Sequence, residues 1–152
     1  MHVPEHNWHD WRWQFANRLR TEADFAKLME LTESEKEALK SPSFAVAVTP
    51  YFASLIQKDN PNCPIRRQAI PLIEESTPDV HGLSDPLAED AMSPVNNLVH
   101  RYPDRVLLIV TETCHMYCRH CTRRRRVGFK EKPISKTDLA NALAYIRQNP
   151  QI

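Results

Sequence analysis

Glycine is nearly absent from this chain of 152 residues: only Gly82 and Gly128 occur, and they are not adjacent, so no turn built on a Gly-Gly pair is available. Long apolar runs are missing too, and none approaches the roughly 20 residues that span a bilayer. The opening Met1-His2-Val3-Pro4-Glu5-His6 has no apolar signal-peptide core, which makes the cytoplasm the expected location. Net charge is also almost nil, since +1 with 26% charged residues gives no strong pull toward nucleic acid or membrane surfaces. These absences leave the expectation of a soluble intracellular protein.

Proline, by contrast, is concentrated. Seven of the twelve fall between Lys58 and Arg105, at positions 61, 64, 71, 78, 86, 94 and 103. Each fixes φ and removes a backbone donor, so neither a long helix nor a central strand is expected there. The chain therefore divides into a helical region 1–57, an extended Pro-rich segment 58–105, and a final part 106–152.

In the first part Trp8, Trp11, Phe15 and Leu19 recur at helical spacing and predict one buried aromatic face. A second helix is expected near Thr21, with Phe25, Leu28 and Met29 on its apolar side. Thr32-Glu33-Ser34-Glu35 has capping-box form and opens a third, which ends before Pro42. Thr49-Pro50 opens a fourth, running to about Gln57. In the last part, Val106-Leu107-Leu108-Ile109-Val110 predicts a strand at about 106–111. A polar connection follows at Lys130 to Pro133, and Ser135-Lys136-Thr137-Asp138 caps a helix over 136–148. Strand, loop and helix make one βα unit, and the strand is expected to lack parallel neighbours.

The chemistry centres on Cys114-x-x-x-Cys118-x-x-Cys121, three thiols within eight residues directly after the predicted strand. Soft thiolates at such spacing select an iron–sulfur cluster or zinc over hard cations. Three thiolates can hold three irons of a [4Fe–4S] cluster and leave the fourth iron open to a small molecule. A structural zinc site is an alternative, with His115 or His120 as fourth ligand. A disulfide with one spare thiol fits a chain without secretory signal poorly. Cys63, alone between Asn62 and Pro64, is expected to be inert. Asp85, Glu89 and Asp90, beside Pro86, are expected to be solvated turn residues. Arg123-Arg124-Arg125-Arg126 permits a solvated basic face or a nucleic-acid patch, yet its place just after the last cysteine suits bidentate capture of a carboxylate or phosphate.

Cys114 to Arg125 reads CHMYCRHCTRRR and resembles the radical S-adenosylmethionine (SAM) superfamily signature. Further segments extend the likeness: Trp8-His9-Asp10-Trp11-Arg12-Trp13-Gln14, Pro64 to Pro71, Asp85 to Asp90, and His100-Arg101-Tyr102-Pro103-Asp104-Arg105 all resemble the lysine 2,3-aminomutase family, in that family's order. The resemblance covers nearly the whole chain. It implies an α/β fold: an N-terminal helical region, an extended Pro-rich wrap, and the first βα unit of an incomplete radical SAM (β/α) partial barrel. Members are much longer, so the chain is expected to be an N-terminal portion, truncated or incomplete.

The same resemblance implies three cofactors: a [4Fe–4S] cluster on Cys114, Cys118 and Cys121, SAM, and pyridoxal 5′-phosphate (PLP). It places Arg101 on the PLP phosphate, Tyr102 against that cofactor, Tyr117 and His120 near the adenosine of SAM, and Arg123 on the substrate α-carboxylate. His115 has no counterpart. The implied reaction interconverts L-lysine and β-lysine by 1,2-amino migration, with an electron donor such as flavodoxin or ferredoxin and a homo-oligomeric full-length protein. The Gly-Gly-Asp type turn and the PLP lysine of the family have no match here, so no catalytic residue is assigned and the chain alone is expected to be inactive. Glutamate 2,3-aminomutase is the alternative within the family, and a non-catalytic iron–sulfur or zinc module is the alternative of another class.

Overall fold

The computed structural model describes residues 5–77, 82–129 and 131–152, without the side chain of His6. Met1 to Pro4, Pro78 of the proline series and Lys130 at the head of the polar connection lie outside the described residues. The architecture is mixed, with short helices and one small two-stranded sheet. No helix among the described residues is long and apolar enough to cross a membrane. The chain forms two compact units, one of Met1–Val80 with Cys114–Arg124, the other of His81–Thr113 with Arg125–Ile152.

The first unit is built from short helices: α1 (Glu5–Trp8), α2 (Trp11–Ala16), α3 (Glu22–Ala26), α4 (Glu33–Lys40), α5 (Pro50–Ser54) and α6 (Pro64–Ala69), followed by a 3₁₀ turn at Ile73–Ser76. Where a cap is present, the start follows from a side chain that takes an otherwise orphaned amide. Thr21 and Asp24 form a reciprocal capping box on α3, and Thr32 and Glu35 form one on α4, where the Thr32 amide donates to Glu35 Oε2 at 2.7 Å. Thr49 caps α5, with Pro50 at its first position. This last helix stops at Ser54, short of Gln57, because the chain turns so that the Gln57 amide meets Cys63 Sγ at 3.5 Å.

The expected continuous aromatic face does not form. Asp10 accepts from the Arg12 amide at 2.8 Å and caps a fresh helix, which breaks the periodicity between Trp8 and Trp11. Trp8 packs on Trp13 and Tyr51, whereas Trp11 is 56% exposed. The core is instead aliphatic around Phe25, with Met29, Leu31, Val48, Ile56 and Ile70.

Within that core lies an ion pair. Arg66, on α6 and 1% exposed, donates to both Glu35 oxygens at 2.7 Å, to the Lys58 carbonyl at 2.8 Å and to the Glu30 carbonyl at 2.7 Å. Two of the bonds join α6 to α4, and the other two close irregular chain at Lys58 and Glu30 onto α6. Burial pushes the Glu35 carboxyl up, but the Arg66 hydrogen bonds and the Thr32 amide outweigh it and hold the group below its ordinary 4.5.

In the second unit β1 (Leu98–Tyr102) and β2 (Arg105–Leu108) pair antiparallel, Leu98 facing Leu108 and Tyr102 facing Arg105. The strand expected at 106–111 thus begins at Arg105, keeps its ladder only to Leu108, and has a neighbour on one side. A short strand also forms in the proline-rich segment, and in a two-stranded sheet it is an edge strand rather than the central strand that the prolines exclude. Pro103 sits in the turn and Pro94 before the strand, so neither interrupts the ladder. Past Leu108 the chain continues by single bonds, from the Ile109 amide to the Asn97 carbonyl at 2.7 Å and from the Ile134 amide to the Val110 carbonyl at 2.8 Å. Asn97 accepts a left-handed φ of 62° to make that approach.

Helix α7 spans Lys136–Gln148, the predicted range, with Ser135 receiving the Asp138 amide at 3.0 Å. It buries Ala142 and docks on β1 through Tyr145, whose hydroxyl lies 2.7 Å from His100 Nδ1.

The buried pair sets an expectation. A carboxyl whose folded pKa lies below its unfolded value stabilises fully above about 4.5, and that contribution is lost as pH falls through the folded value. Glu35→Gln should therefore remove about 3 kcal/mol at pH 7 and flatten the acid side of a stability–pH curve. Denaturant melts from pH 3 to 7 check this, and coincident wild-type and variant curves refute it.

Candidate functional site

The three thiols sit in a segment, Cys114–Arg124, that has neither helix nor strand. Irregular backbone must find partners for its polar groups outside itself. Here the helical unit provides them. The Tyr117 amide donates to the Ala47 carbonyl at 3.0 Å, and the Arg119 amide donates to the Gln68 carbonyl at 2.9 Å. From the other direction, Arg18 Nη1 donates to the Cys114 carbonyl at 2.6 Å. Inside the segment, one turn closes from the Cys121 amide to the Cys118 carbonyl at 3.0 Å and another from the Arg124 amide to the Cys121 carbonyl at 3.4 Å.

Side chains complete the attachment. Tyr117, at 1% exposure, stands edge-on to Phe44 with centroids 5.8 Å apart. Arg119 grips Glu75 with Nη2 at 2.6 Å and Nε at 3.0 Å, and donates to the Ala45 carbonyl at 3.0 Å. Its guanidinium also lies over Phe44, as does that of Arg124. Arg119 falls between Cys118 and His120, so this fork pins the chain next to two candidate cofactor contacts.

Cys114, Cys118 and Cys121 are all partly buried and free, so no disulfide joins them. Burial pushes the Cys114 thiol up, and the charges of Cys121 and Cys118 add to this, against a downward pull from Arg18 and Arg123. Burial and Cys121 likewise push Cys118 up. The sulfurs are thus close enough to resist joint ionisation, a cost that a shared cation removes. Among the described residues, however, no three of His, Cys, Asp and Glu stand in a metal-holding group. In donor chemistry the set fits a thiolate-ligated cluster, in which each sulfur would take a separate iron rather than share one ion.

The other sequence-predicted residues fall in two places. His120 is exposed, and Arg123 is partly buried with its charge acting on Cys114. His115 packs edge-on against Phe15 and Trp11. Arg101 and Tyr102 lie on β1, in the second unit. Arg101 is exposed and donates one bond, to the Leu87 carbonyl at 2.9 Å, and Tyr102 is half exposed beneath Arg105. Also in the second unit, Asp85, Glu89 and Asp90 are not simply solvated turn residues. Glu89 is 4% exposed, and Arg125 draws the three together at 3.2, 3.9 and 2.8 Å.

Arg18, Glu75 and the role of Arg119 carry no signal in the sequence pattern. Their partners lie 96, 44 and 74 residues away along the chain.

No protein-family model matches the chain. It is similar to the L-lysine 2,3-aminomutase of Bacillus subtilis (strain 168), at 49% identity over 152 residues, 99% of this chain and 32% of that protein. It is 46% identical to the L-lysine 2,3-aminomutase of Clostridium subterminale over 152 residues, 99% of this chain and 36% of that one. The glutamate 2,3-aminomutase of Clostridioides difficile (strain 630) is 37% identical over 150 residues, 97% of this chain and 35% of that protein. The chain spans about a third of the length of these curated relatives, and it matches an N-terminal portion of L-lysine 2,3-aminomutase.

Removing the fork should loosen the segment. Arg119→Ala is expected to lower stability by about 2 kcal/mol, because it strands Glu75 as well as the Phe44 and Ala45 carbonyls. Arg119→Lys, with the charge but not the fork, should recover only part of this. A urea midpoint unchanged in both variants would count against the attachment described.

Proposed function

We propose that this chain supplies the N-terminal part of a radical SAM, PLP-dependent lysine 2,3-aminomutase, an isomerase that moves an amino group between adjacent carbons of L-lysine. The observation that carries it is the identity of 45–49% across 99% of the chain, thiol segment included. The glutamate enzyme, at 37%, keeps a second substrate in view, and the higher identity favours lysine. On this reading β2, the thiol segment and α7 form the first βα unit of a partial (β/α) barrel.

Cys114, Cys118 and Cys121 would hold a [4Fe–4S] cluster. When bound, the cluster with SAM supplies a hydrogen-abstracting radical, and PLP supplies a conjugated carrier for the migrating nitrogen. The chain's own residues bind and orient. Arg123 offers a guanidinium to the substrate α-carboxylate. Arg101, exposed and with donors beyond the one given to Leu87, offers another to the PLP phosphate. Tyr102, half exposed with Arg105 over its ring, is the side chain that would lie against that cofactor. His120 and Tyr117 belong beside the adenosine of SAM, His120 from the exposed side and Tyr117 by holding the backbone in place. Catalytic groups are not assigned within this chain. A one-electron donor of flavodoxin or ferredoxin type, a homo-oligomeric assembly and a cytoplasmic location complete the proposal.

Anaerobic reconstitution with ferrous iron and sulfide tests it. The expected result is a broad visible absorbance that changes when SAM is added, with Cys118→Ala abolishing it. A colourless chain holding one zinc would instead support a non-catalytic zinc module.

A further inference from the structure

Arg18 is 6% exposed, an unusual place for a permanent charge. It follows the C-cap of α2, and its neighbour Leu19 exchanges backbone bonds with Val48 at 2.8 and 3.0 Å. The main chain is therefore fixed on both sides of it. The guanidinium lies 3.6 Å from the Phe15 ring centroid, donates from Nε to the Phe15 carbonyl at 3.1 Å, and reaches the Cys114 carbonyl through Nη1 at 2.6 Å. It thereby ties the end of α2 to the first residue of the thiol segment.

We infer that Arg18 is a positioning residue for the iron–sulfur site, fixing the backbone of the first thiol and setting a permanent positive charge beside the cluster. The inference rests on the reading of Cys114, Cys118 and Cys121 as cluster ligands. A cluster held by thiolates is an anion, and a cation held in the same low-dielectric surroundings interacts with it strongly. Hydrogen bonds and net charge around a cluster tune its potential. Reduction adds one electron, from dithionite in vitro or from the one-electron donor, and so makes the cluster more negative. A nearby cation favours the reduced state and raises the potential. Phe15 contributes by holding the guanidinium plane, which a lysine ammonium cannot present in the same way.

Three substitutions in the full chain separate holding from charge: Arg18→Gln keeps a donor and loses the charge, Arg18→Lys keeps the charge and loses the fork, and Arg18→Met loses both. Two readouts apply, the midpoint potential of the reconstituted chain in a dithionite titration and the amide exchange of residues 114–124 in the metal-free chain. Arg18→Gln and Arg18→Met should shift the potential to more negative values, while Arg18→Lys leaves it near wild type. Exchange in the segment should rise about tenfold in Arg18→Met, with α4 and α6 still protected. Wild-type potential in Arg18→Gln and Arg18→Met overturns the electrostatic role, and wild-type exchange in Arg18→Met overturns the holding role. A wild-type chain that takes up no iron and sulfide refutes the cluster reading itself, and the exchange measurement still decides whether Arg18 holds the segment.

Discussion

The forked pair between Arg66 and Glu35 is the interaction on which the helical unit depends. It joins α6 to α4 and simultaneously closes the carbonyls of Glu30 and Lys58, so four stretches of chain meet at one guanidinium. Helices of five to eight residues have little stability of their own and need such tertiary ties. The consequence reaches the thiols. Gln68, two residues along α6 from Arg66, offers the carbonyl that receives the Arg119 amide, and Arg119 is bonded covalently to Cys118. A core ion pair thus sets, through one helix, where Cys118 stands.

The elements most legible in the sequence are those whose signal is local. Thr21, Thr32, Thr49 and Ser135 each cap a helix within three residues, and α7 occupies its predicted range because cap, apolar spacing and the following Asn149-Pro150 agree. The tryptophan stripe misled because Asp10 sits inside it, and a cap overrides periodicity. β1 was hidden because His100, Arg101 and Tyr102 are polar or amphipathic and prolines flank the strand. Those are the marks of an edge strand with one open side. Glu89 looked solvated because its partner, Arg125, belongs to a different stretch of sequence.

The site was legible by halves for the same reason. Three cysteines within eight residues announce themselves, and the flanking arginines can be matched to anions by residue type. The residues that fix the segment cannot be, since a lone arginine such as Arg18 reads as surface until its burial is known. What distinguishes Arg18 and Arg119 is acceptor geometry, in both cases to backbone carbonyls of distant segments.

These attachments divide the segment's freedom in a way that suits a cofactor assembled after folding. The backbone is held at the Cys114 carbonyl, the Tyr117 amide and the Arg119 amide, whereas the sulfurs repel one another as thiolates and form no ligand set. Fixing the backbone first removes most of the conformational entropy that a cluster would otherwise have to overcome. Burial raises the cost of a bare thiolate at Cys114 and Cys118, so an uncompensated charge in this partly buried site is disfavoured. With Arg18 and Arg123 already favouring a thiolate at Cys114, the segment resists charge in the absence of a cation and accommodates it when one arrives. On the proposed reading, the helical region is therefore more than a wrapping for a barrel: it is the mould in which the first three ligands are set.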